Sequence, residues 1–349
     1  MSINMLNLGL GDCGCRIVNE GKLINNSFDC AFINSNINGT NILENSTLNN
    51  TIHLESINGA AKNRNESKEA FKKSEDKIMI FLNDKIYNYS VVNVITSIDG
   101  GTGSGITKDT ITLIRELNNT IKINLIAVCP DLHKSKRIPL KNSISFYSDF
   151  LYLLENNIIN GYMYVDNQKI GNGNINEFNK RIMEDLLGAY EISFGDLDES
   201  DITTILSKNY TSILKLNNAL NIDESIKAAV ITSPFMIEDP YIATHIGISV
   251  DENSYNPLEV LSKFKIRDFE KNTNNPFESN FIILGGCKPP NQYFKKIENK
   301  INSIENNVDS DYMIDYYKPE VNYDNEEVIV NKKQPLSKKE LRRKLKGRL

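Results

Sequence analysis

Asp99-Gly100-Gly101-Thr102-Gly103-Ser104-Gly105 packs four glycines and two hydroxyl residues into its last six positions. Consecutive glycines let successive backbone N–H groups face one point, which makes a concavity for an anion, and Thr102 and Ser104 add hydroxyl donors. The run is not a Walker A loop, because the closing Gly-Lys-Ser/Thr is missing. A second cluster, Gly9-Leu10-Gly11-Asp12-Cys13-Gly14, satisfies the dinucleotide pattern G-x-G-x-x-G. A dinucleotide enzyme would want an acid at the end of the second strand to hold the ribose. That strand ends Phe32-Ile33-Asn34-Ser35-Asn36, with no acid. Two glycine loops instead suit the phosphates of a single nucleotide. A third stretch, Gly195-Asp196-Leu197-Asp198-Glu199-Ser200-Asp201-Ile202, concentrates carboxylates. Taken alone, it reads equally as a solvated turn with a helix N-cap. Cys13-x-Cys15 reads as two packing thiols rather than a metal site.

The elements that position these residues follow from hydrophobic patterning. Met5 to Leu10, Cys30 to Asn34, Val91 to Ile98, Leu125 to Cys129 and Tyr162 to Val165 read as buried strands alternating with polar, helix-like stretches. That alternation predicts a parallel α/β sheet with ligands at the carboxyl ends of its strands. The second glycine run lies between the strand ending near Ile98 and a helix beginning near Ile106. From Ile175 to Tyr190 the spacing of Ile175, Phe178, Ile182, Leu186 and Tyr190 predicts one helix joining two halves. Ile226 to Thr232, Thr244 to Val250 and Phe281 to Leu284 read as strands of a smaller second α/β domain, with a helical stretch around Leu258 to Phe264. Tyr293 to Val308 reads as a closing helix.

The 349 residues give room for two domains and a sizeable core. With 40% hydrophobic and 24% charged residues and no apolar run of membrane-spanning length, the chain is expected to be a cytoplasmic globular protein. Five cysteines are too few and too irregular for a disulfide framework and are expected as free thiols. A net charge of −5 argues against wholesale coating of nucleic acid. The charge is uneven, however. Asp309 to Glu327 is acidic and poor in aliphatics, which predicts a disordered linker. Its tip is basic, with Lys338, Lys339, Arg342, Arg343, Lys344, Lys346 and Arg348, and Leu341, Leu345 and Leu349 recur every four residues. This end is expected to form a helix when a partner binds it.

Gly100 to Gly105 resembles the tubulin signature G-G-T-G-[ST]-G, and from Met5 to Gly286 the other loops follow the order of the tubulin/FtsZ superfamily of polymerising GTPases. The resemblance implies GTP/GDP and Mg2+ as ligands. It places Gly11, Asp12, Cys13, Gly100, Gly101, Thr102, Gly103 and Ser104 on the phosphates. Gly59, Ala60, Ala61, Lys62 and Asn63 resemble the loop that senses the γ-phosphate. Asn167 and Asn179 fall where the family reads guanine, with Ile175 replacing the usual aromatic stack. His133 and Arg137 lie in a segment loosely similar to the ribose-side loop. Asn36 stands where many members place an Asp near magnesium, so the metal would be held mainly by phosphates and water. The resemblance makes Asp198 and Asp201, with Asp196 beside them, the catalytic acids that one subunit inserts into its neighbour's nucleotide pocket.

The implied organisation is a Rossmann-like GTP-binding domain over 1–173, a central helix over 174–194, a second domain over 195–290, a closing helix over 291–308 and a flexible tail over 309–349. Among the branches, a basic tail is most similar to TubZ, where it engages the DNA-bound adaptor TubR to segregate plasmid or phage DNA. Direct contact with DNA is a second use of the same charge. A division filament like FtsZ and a phage-positioning filament like PhuZ are the alternatives, and the acidic tail of the latter disfavours it. Outside the family stand a dinucleotide-dependent oxidoreductase using Gly9 to Gly14 and a GTP-binding protein that never hydrolyses.

Overall fold

The computed structural model describes residues 4–193, 195–276 and 279–311. The acidic linker beyond Asp311 and the basic tip lie outside the described residues. Strand β1 (Met5–Leu10) runs into helix α1 (Gly11–Ile24), followed by β2 (Asp29–Asn34), the short α2 (Ile37–Asn41) and β3 (Thr51–His53). Then come α3 (Arg64–Ile86), β4 (Val91–Ser97), α4 (Thr102–Leu117), β5 (Lys122–Cys129), α5 (Arg137–Glu155) and β6 (Gly161–Asp166). These six strands pair in parallel in the order β3-β2-β1-β4-β5-β6. Successive residues of β1 enter different cores, as period-two geometry requires. Leu6, Leu8 and Leu10 join the cluster containing Phe71, Ile78, Ile111 and Phe146, while Met5 joins the one containing Ile17, Val18, Phe178 and Ile182. Buried on both faces, the strands read as continuous apolar runs.

Helix α6 (Ile175–Glu191) carries the expected apolar face, with Phe178, Ile182, Leu186 and Tyr190 buried and Ile175 left 47% exposed. It leads through α7 (Glu199–Leu206) to β7 (Asn209–Lys215), α8 (Ile222–Thr232), β8 (Ile242–Asp251), α9 (Pro257–Leu261), β9 (Lys265–Asn275), β10 (Phe281–Gly285) and α10 (Asn291–Asp311). The second α/β half extends the same sheet as β6-β7-β10-β8-β9, with β10 antiparallel to both β7 and β8.

Three expectations change. Ile226 to Thr232 is the end of α8 rather than a strand: Asn221 Oδ1 caps it by accepting from Glu224 N at 3.0 Å. Its buried residues Ile222, Ile226 and Ala229 recur at helical spacing. The strand of this region is β7, earlier in the chain, whose Tyr210, Ile213 and Leu214 are buried. Helix α4 starts at Thr102 rather than near Ile106, so the glycine run forms its first turn, with Gly105 N donating to Gly101 O at 3.0 Å. The helical stretch at Leu258 is α9 alone, because Lys265 already begins β9. The five cysteines are unpaired.

Candidate functional site

Strand order reverses between β1 and β4, and in open α/β sheets the crevice at that switch point is where ligands bind. A cavity of about 340 Å3 lies there, lined by Leu10 to Cys13, Asn36, Gly59 to Lys62, Ser97 and Gly100 to Gly103. Three of the sequence-derived phosphate segments therefore converge on one space. The amino ends of α1 and α4 face it with unpaired N–H groups and positive dipole ends, a pairing suited to phosphate. Backbone contact between the two loops explains their glycines. A Cβ on Gly11 would lie 2.6 Å from Gly103 N, and one on Gly103 2.6 Å from Leu10 O. A Cβ on Gly14 would reach 2.0 Å from Ile95 O, so α1 packs on β4 only as glycine. Gly14→Ala is expected to cost about 1–3 kcal/mol by overpacking. A thermal melt checks this, and a variant melting with the wild type would show that α1 can lift off β4.

The hydroxyls of the signature are turned to the protein. Thr102 Oγ1 lies 2.6 Å from Ser35 Oγ, and the Ser104 hydroxyl donates to Gly100 O. Cys13 lines the cavity, and burial above all, then the charge of Asp99, pushes its thiol up to about 12. Cys15 Sγ packs 3.4 Å from Gly9 O, and burial raises its pKa as well. Both remain protonated at neutral pH, which suits packing rather than metal binding. Asp12 presents the carboxylate of this cavity. Its oxygens accept from Asn34 Nδ2 at 2.7 Å and from Asn36 Nδ2 at 3.3 and 3.2 Å. Asn36 also caps α2 by accepting from Gly39 N, so both ends of its amide are committed. The resemblance implies Asp12 only as a phosphate contact, and its clamp by two asparagines is not legible locally because Asn34 ends β2 and Asn36 follows it, more than twenty residues along the chain.

The 59–63 segment is irregular, with positive φ at Gly59, Ala61 and Lys62. Asn63 ends it by capping α3, accepting from Asn65 N at 3.1 Å and from Glu66 N at 3.4 Å. The Lys62 ammonium sits 3.4 Å from Asp99 Oδ2.

The base and ribose candidates do not line this cavity. Asn167 follows β6 in a short 3-10 turn at the same carboxyl edge of the sheet, and Ile175 opens α6 there. Asn179 is one turn further along α6 and 4% exposed. Arg137, at the start of α5, gives its guanidinium to Glu305 of α10 at 2.6 and 2.9 Å, and Lys141 joins the same carboxylate at 2.7 Å. The exposed His133 donates its backbone N–H to Asp131 Oδ1 at 2.9 Å.

The acidic turn and the cavity lie beyond opposite ends of α6. The helix starts after β6, at the same carboxyl edge as the cavity, and near its other end the Tyr190 hydroxyl lies 3.1 Å from Asn124 Nδ2 and 3.2 Å from Asn93 Oδ1, close to the amino ends of β5 and β4. Its 17 residues span about 25 Å at 1.5 Å per residue, and the turn that follows packs on β9, where a Cβ on Gly195 would lie 2.6 Å from Thr273 Oγ1. Asp198 and Asp201 form a reciprocal cap on α7: Asp198 Oδ1 accepts from Asp201 N at 2.9 Å and Asp201 Oδ2 from Asp198 N at 3.1 Å. Each keeps a second carboxylate oxygen beyond the cap. Lys271 on β9 approaches Asp201 Oδ2 at 3.9 Å, and Asp196 is exposed.

No family model matches the chain. The tubulin-like protein CetZ of Methanothrix thermoacetophila is 24% identical over 205 residues, which cover 54% of this chain and 52% of that protein. The chain thus matches about half the length of this curated relative. Among solved structures, TubZ of Clostridium botulinum phage c-st superposes with a TM-score of 0.76 at 18% identity, covering 88% of this chain and all of that one. A GTPγS-form protofilament of Bacillus thuringiensis serovar israelensis TubZ gives a TM-score of 0.74 at 15% identity, over 88% of this chain and 94% of that one. The chain has the tubulin/FtsZ fold that its glycine loops implied.

Proposed function

We propose that this protein is a GTPase that assembles head to tail into filaments and cleaves GTP at the junction between subunits. The observation that carries the reading is the separation of the phosphate cavity from the acidic turn by the length of α6. Neither end completes a hydrolytic site by itself, and stacking one subunit's acidic end on the next one's cavity does. The relation to a GTPγS-form TubZ protofilament supports the same arrangement.

In this mechanism Gly11 to Cys13 and Gly100 to Gly103 hold the phosphates through backbone N–H groups, and Gly59 to Asn63 close over the terminal phosphate. Asn167 and Asn179 hydrogen-bond the guanine edge, with Ile175 against its face and Arg137 towards the ribose. Asp12 is the carboxylate this cavity offers to Mg2+, an ion that would neutralise phosphate charge during transfer. Asp198 and Asp201 of the adjoining subunit orient and polarise the attacking water. Phosphoryl transfer asks mainly for such positioning and charge management. Residues 1–173 form the GTP-binding domain and 195–290 the activating one, joined by the central helix. In the cytoplasm, the basic tip from Lys338 to Arg348 engages a DNA-bound adaptor of the TubR type, so that filament turnover moves plasmid or phage DNA.

The test is light scattering with phosphate release, using the full chain, GTP and Mg2+ over a range of protein concentrations. Turnover per subunit is expected to rise with concentration, since the site is built from two chains. Turnover independent of concentration would put the whole site in one subunit. A chain ending at Asn331 is expected to assemble normally but lose its hold on the adaptor–DNA complex.

A further inference from the structure

Helix α5 runs behind both phosphate-side loops, and one of its side chains bonds to the two together. Asn142 Nδ2 donates to Lys62 O at 2.9 Å, Gly100 O at 3.0 Å and Asp99 O at 3.2 Å. An amide nitrogen carries two protons, so three carbonyls share them and the loops converge on a single group. The residues on one side of this clasp are strained. Ala61 and Lys62 have φ of 44° and 66°, a left-handed backbone that non-glycine residues hold only when their surroundings impose it.

Few contacts can impose it. The Lys62 ammonium on Asp99 is half exposed and screened by solvent. Arg64 Nη2 bonds Ser104 O at 2.8 Å, but it acts beyond the strained pair. Asn63 N to Ala60 O, at 2.6 Å, closes the turn from within. The bond from Asn142 acts from outside on the carbonyl of Lys62 itself, and ties it to the turn that begins the glycine run. Asn142 does not line the phosphate cavity but a separate cleft on the far side of the 61–65 segment, so it reaches the phosphate site only through the loops.

We infer that Asn142 is a positioning residue that holds the 59–63 loop and the 99–101 turn at the spacing a terminal phosphate bridges, and so sets the preference of the site for GTP over GDP. This rests on the nucleotide reading above. A triphosphate needs the 59–63 loop in place as well, whereas a diphosphate is held by the glycine loops at the starts of α1 and α4, and the latter keeps its own Gly105 N to Gly101 O bond without Asn142.

The experiment compares dissociation constants of GTPγS and GDP for the full-length wild type, Asn142→Ala and Asn142→Ser, alongside thermal midpoints without nucleotide. GTPγS is expected to weaken roughly tenfold, the effect of losing about one hydrogen-bonding group, while GDP changes less than about twofold. Adding Ala61→Gly to Asn142→Ala should restore part of the preference, because glycine holds a positive φ without support. Equal weakening of both nucleotides, or no change in either, would make Asn142 a brace of the fold and overturn the inference. A wild type that binds neither nucleotide overturns the nucleotide reading and this inference with it. If Asn142→Ala does not fold, Asn142→Ser and the hydrogen exchange of residues 59–64 decide: faster exchange with an unchanged GTPγS-to-GDP ratio counts against it.

Discussion

Asp201→Asn is expected to assemble with GTP and leave it uncleaved. Two roles meet at Asp201, and the substitution separates them. As the third residue of α7, it accepts from Asp198 N at 3.1 Å, and an asparagine oxygen can accept the same bond. The fold and the presentation of the turn should therefore survive. What disappears is the negative charge, which the proposed mechanism uses to polarise water at the neighbour's terminal phosphate. Phosphate release should fall about 10²–10⁴-fold, the usual range for a positioned acid–base group, while scattering persists longer because the GTP lattice is not converted. Asp201→Ala would lose the cap as well, at a further cost of about 1 kcal/mol, which makes it the less clean variant. The opposite-ends arrangement adds a stricter test. Gly101→Val should be unable to close its cavity, because a Cβ there already meets Ala60 Cβ at 2.9 Å and Asn63 N at 2.9 Å. Mixed with Asp201→Asn, it should restore part of the turnover, since one kind of mixed junction has an intact cavity on one side and intact acids on the other. Wild-type turnover by Asp201→Asn alone would leave Asp201 as a helix cap and nothing more.

Where sequence reading succeeded, one local pattern decided the structure. The all-buried run Met5 to Leu10 is β1 to the residue, and the i, i+3, i+4 apolar spacing from Ile175 gives α6. The glycine run marked a cavity because its small residues answer a requirement of close backbone approach, seen in Gly11 against Gly103. Where it failed, short apolar runs were ambiguous. Ile226 to Thr232 has strand-like composition, but the cap at Asn221 and the burial of Ile222, Ile226 and Ala229 make it helical. The site's tertiary ties were the least legible. Asn142 is a polar residue in a helix some forty positions after the glycine run, and its partners are backbone carbonyls that no residue type announces. The hold of Asn34 and Asn36 on Asp12 likewise joins loops made neighbours by β1–β2 pairing. The reciprocal cap of Asp198 and Asp201 was legible as a possibility. Its catalytic use depends on a second copy of the chain, which a single sequence does not contain.

Asp185→Asn is expected to stabilise the protein at neutral pH and to change it little in mild acid. Asp185 lies midway along α6 and is 5% exposed, with no hydrogen bond or ion pair to its carboxylate among the described residues. It borders a cleft of about 480 Å3 with Arg181, Glu184, Lys215, Asn217 and Asn280. Burial dominates and raises its pKa from 3.8 to about 6, against the opposing pull of Lys215 and Arg181. Between those two values the folded protein holds a proton that the unfolded chain has released. Stability therefore declines as pH rises through this window, and above it the full cost of a buried carboxylate is present. A displacement of that size corresponds to on the order of 3 kcal/mol. Asparagine removes the charge at nearly constant volume, so the gain over wild type should approach that magnitude at pH 7.5 and shrink towards zero near pH 4. Denaturant unfolding of both proteins across this range measures it, and taking the difference cancels the carboxylates they share. A gain that is flat with pH would mean that the charge at Asp185 is already compensated. If the gain follows the expected curve, the wild type carries a destabilising charge on the helix that joins the phosphate end to the acidic end. Comparing GTP turnover of Asp185→Asn and wild type at pH 7.5 would then show whether that charge serves the coupling of the two ends, because a helix brace alone leaves turnover unchanged.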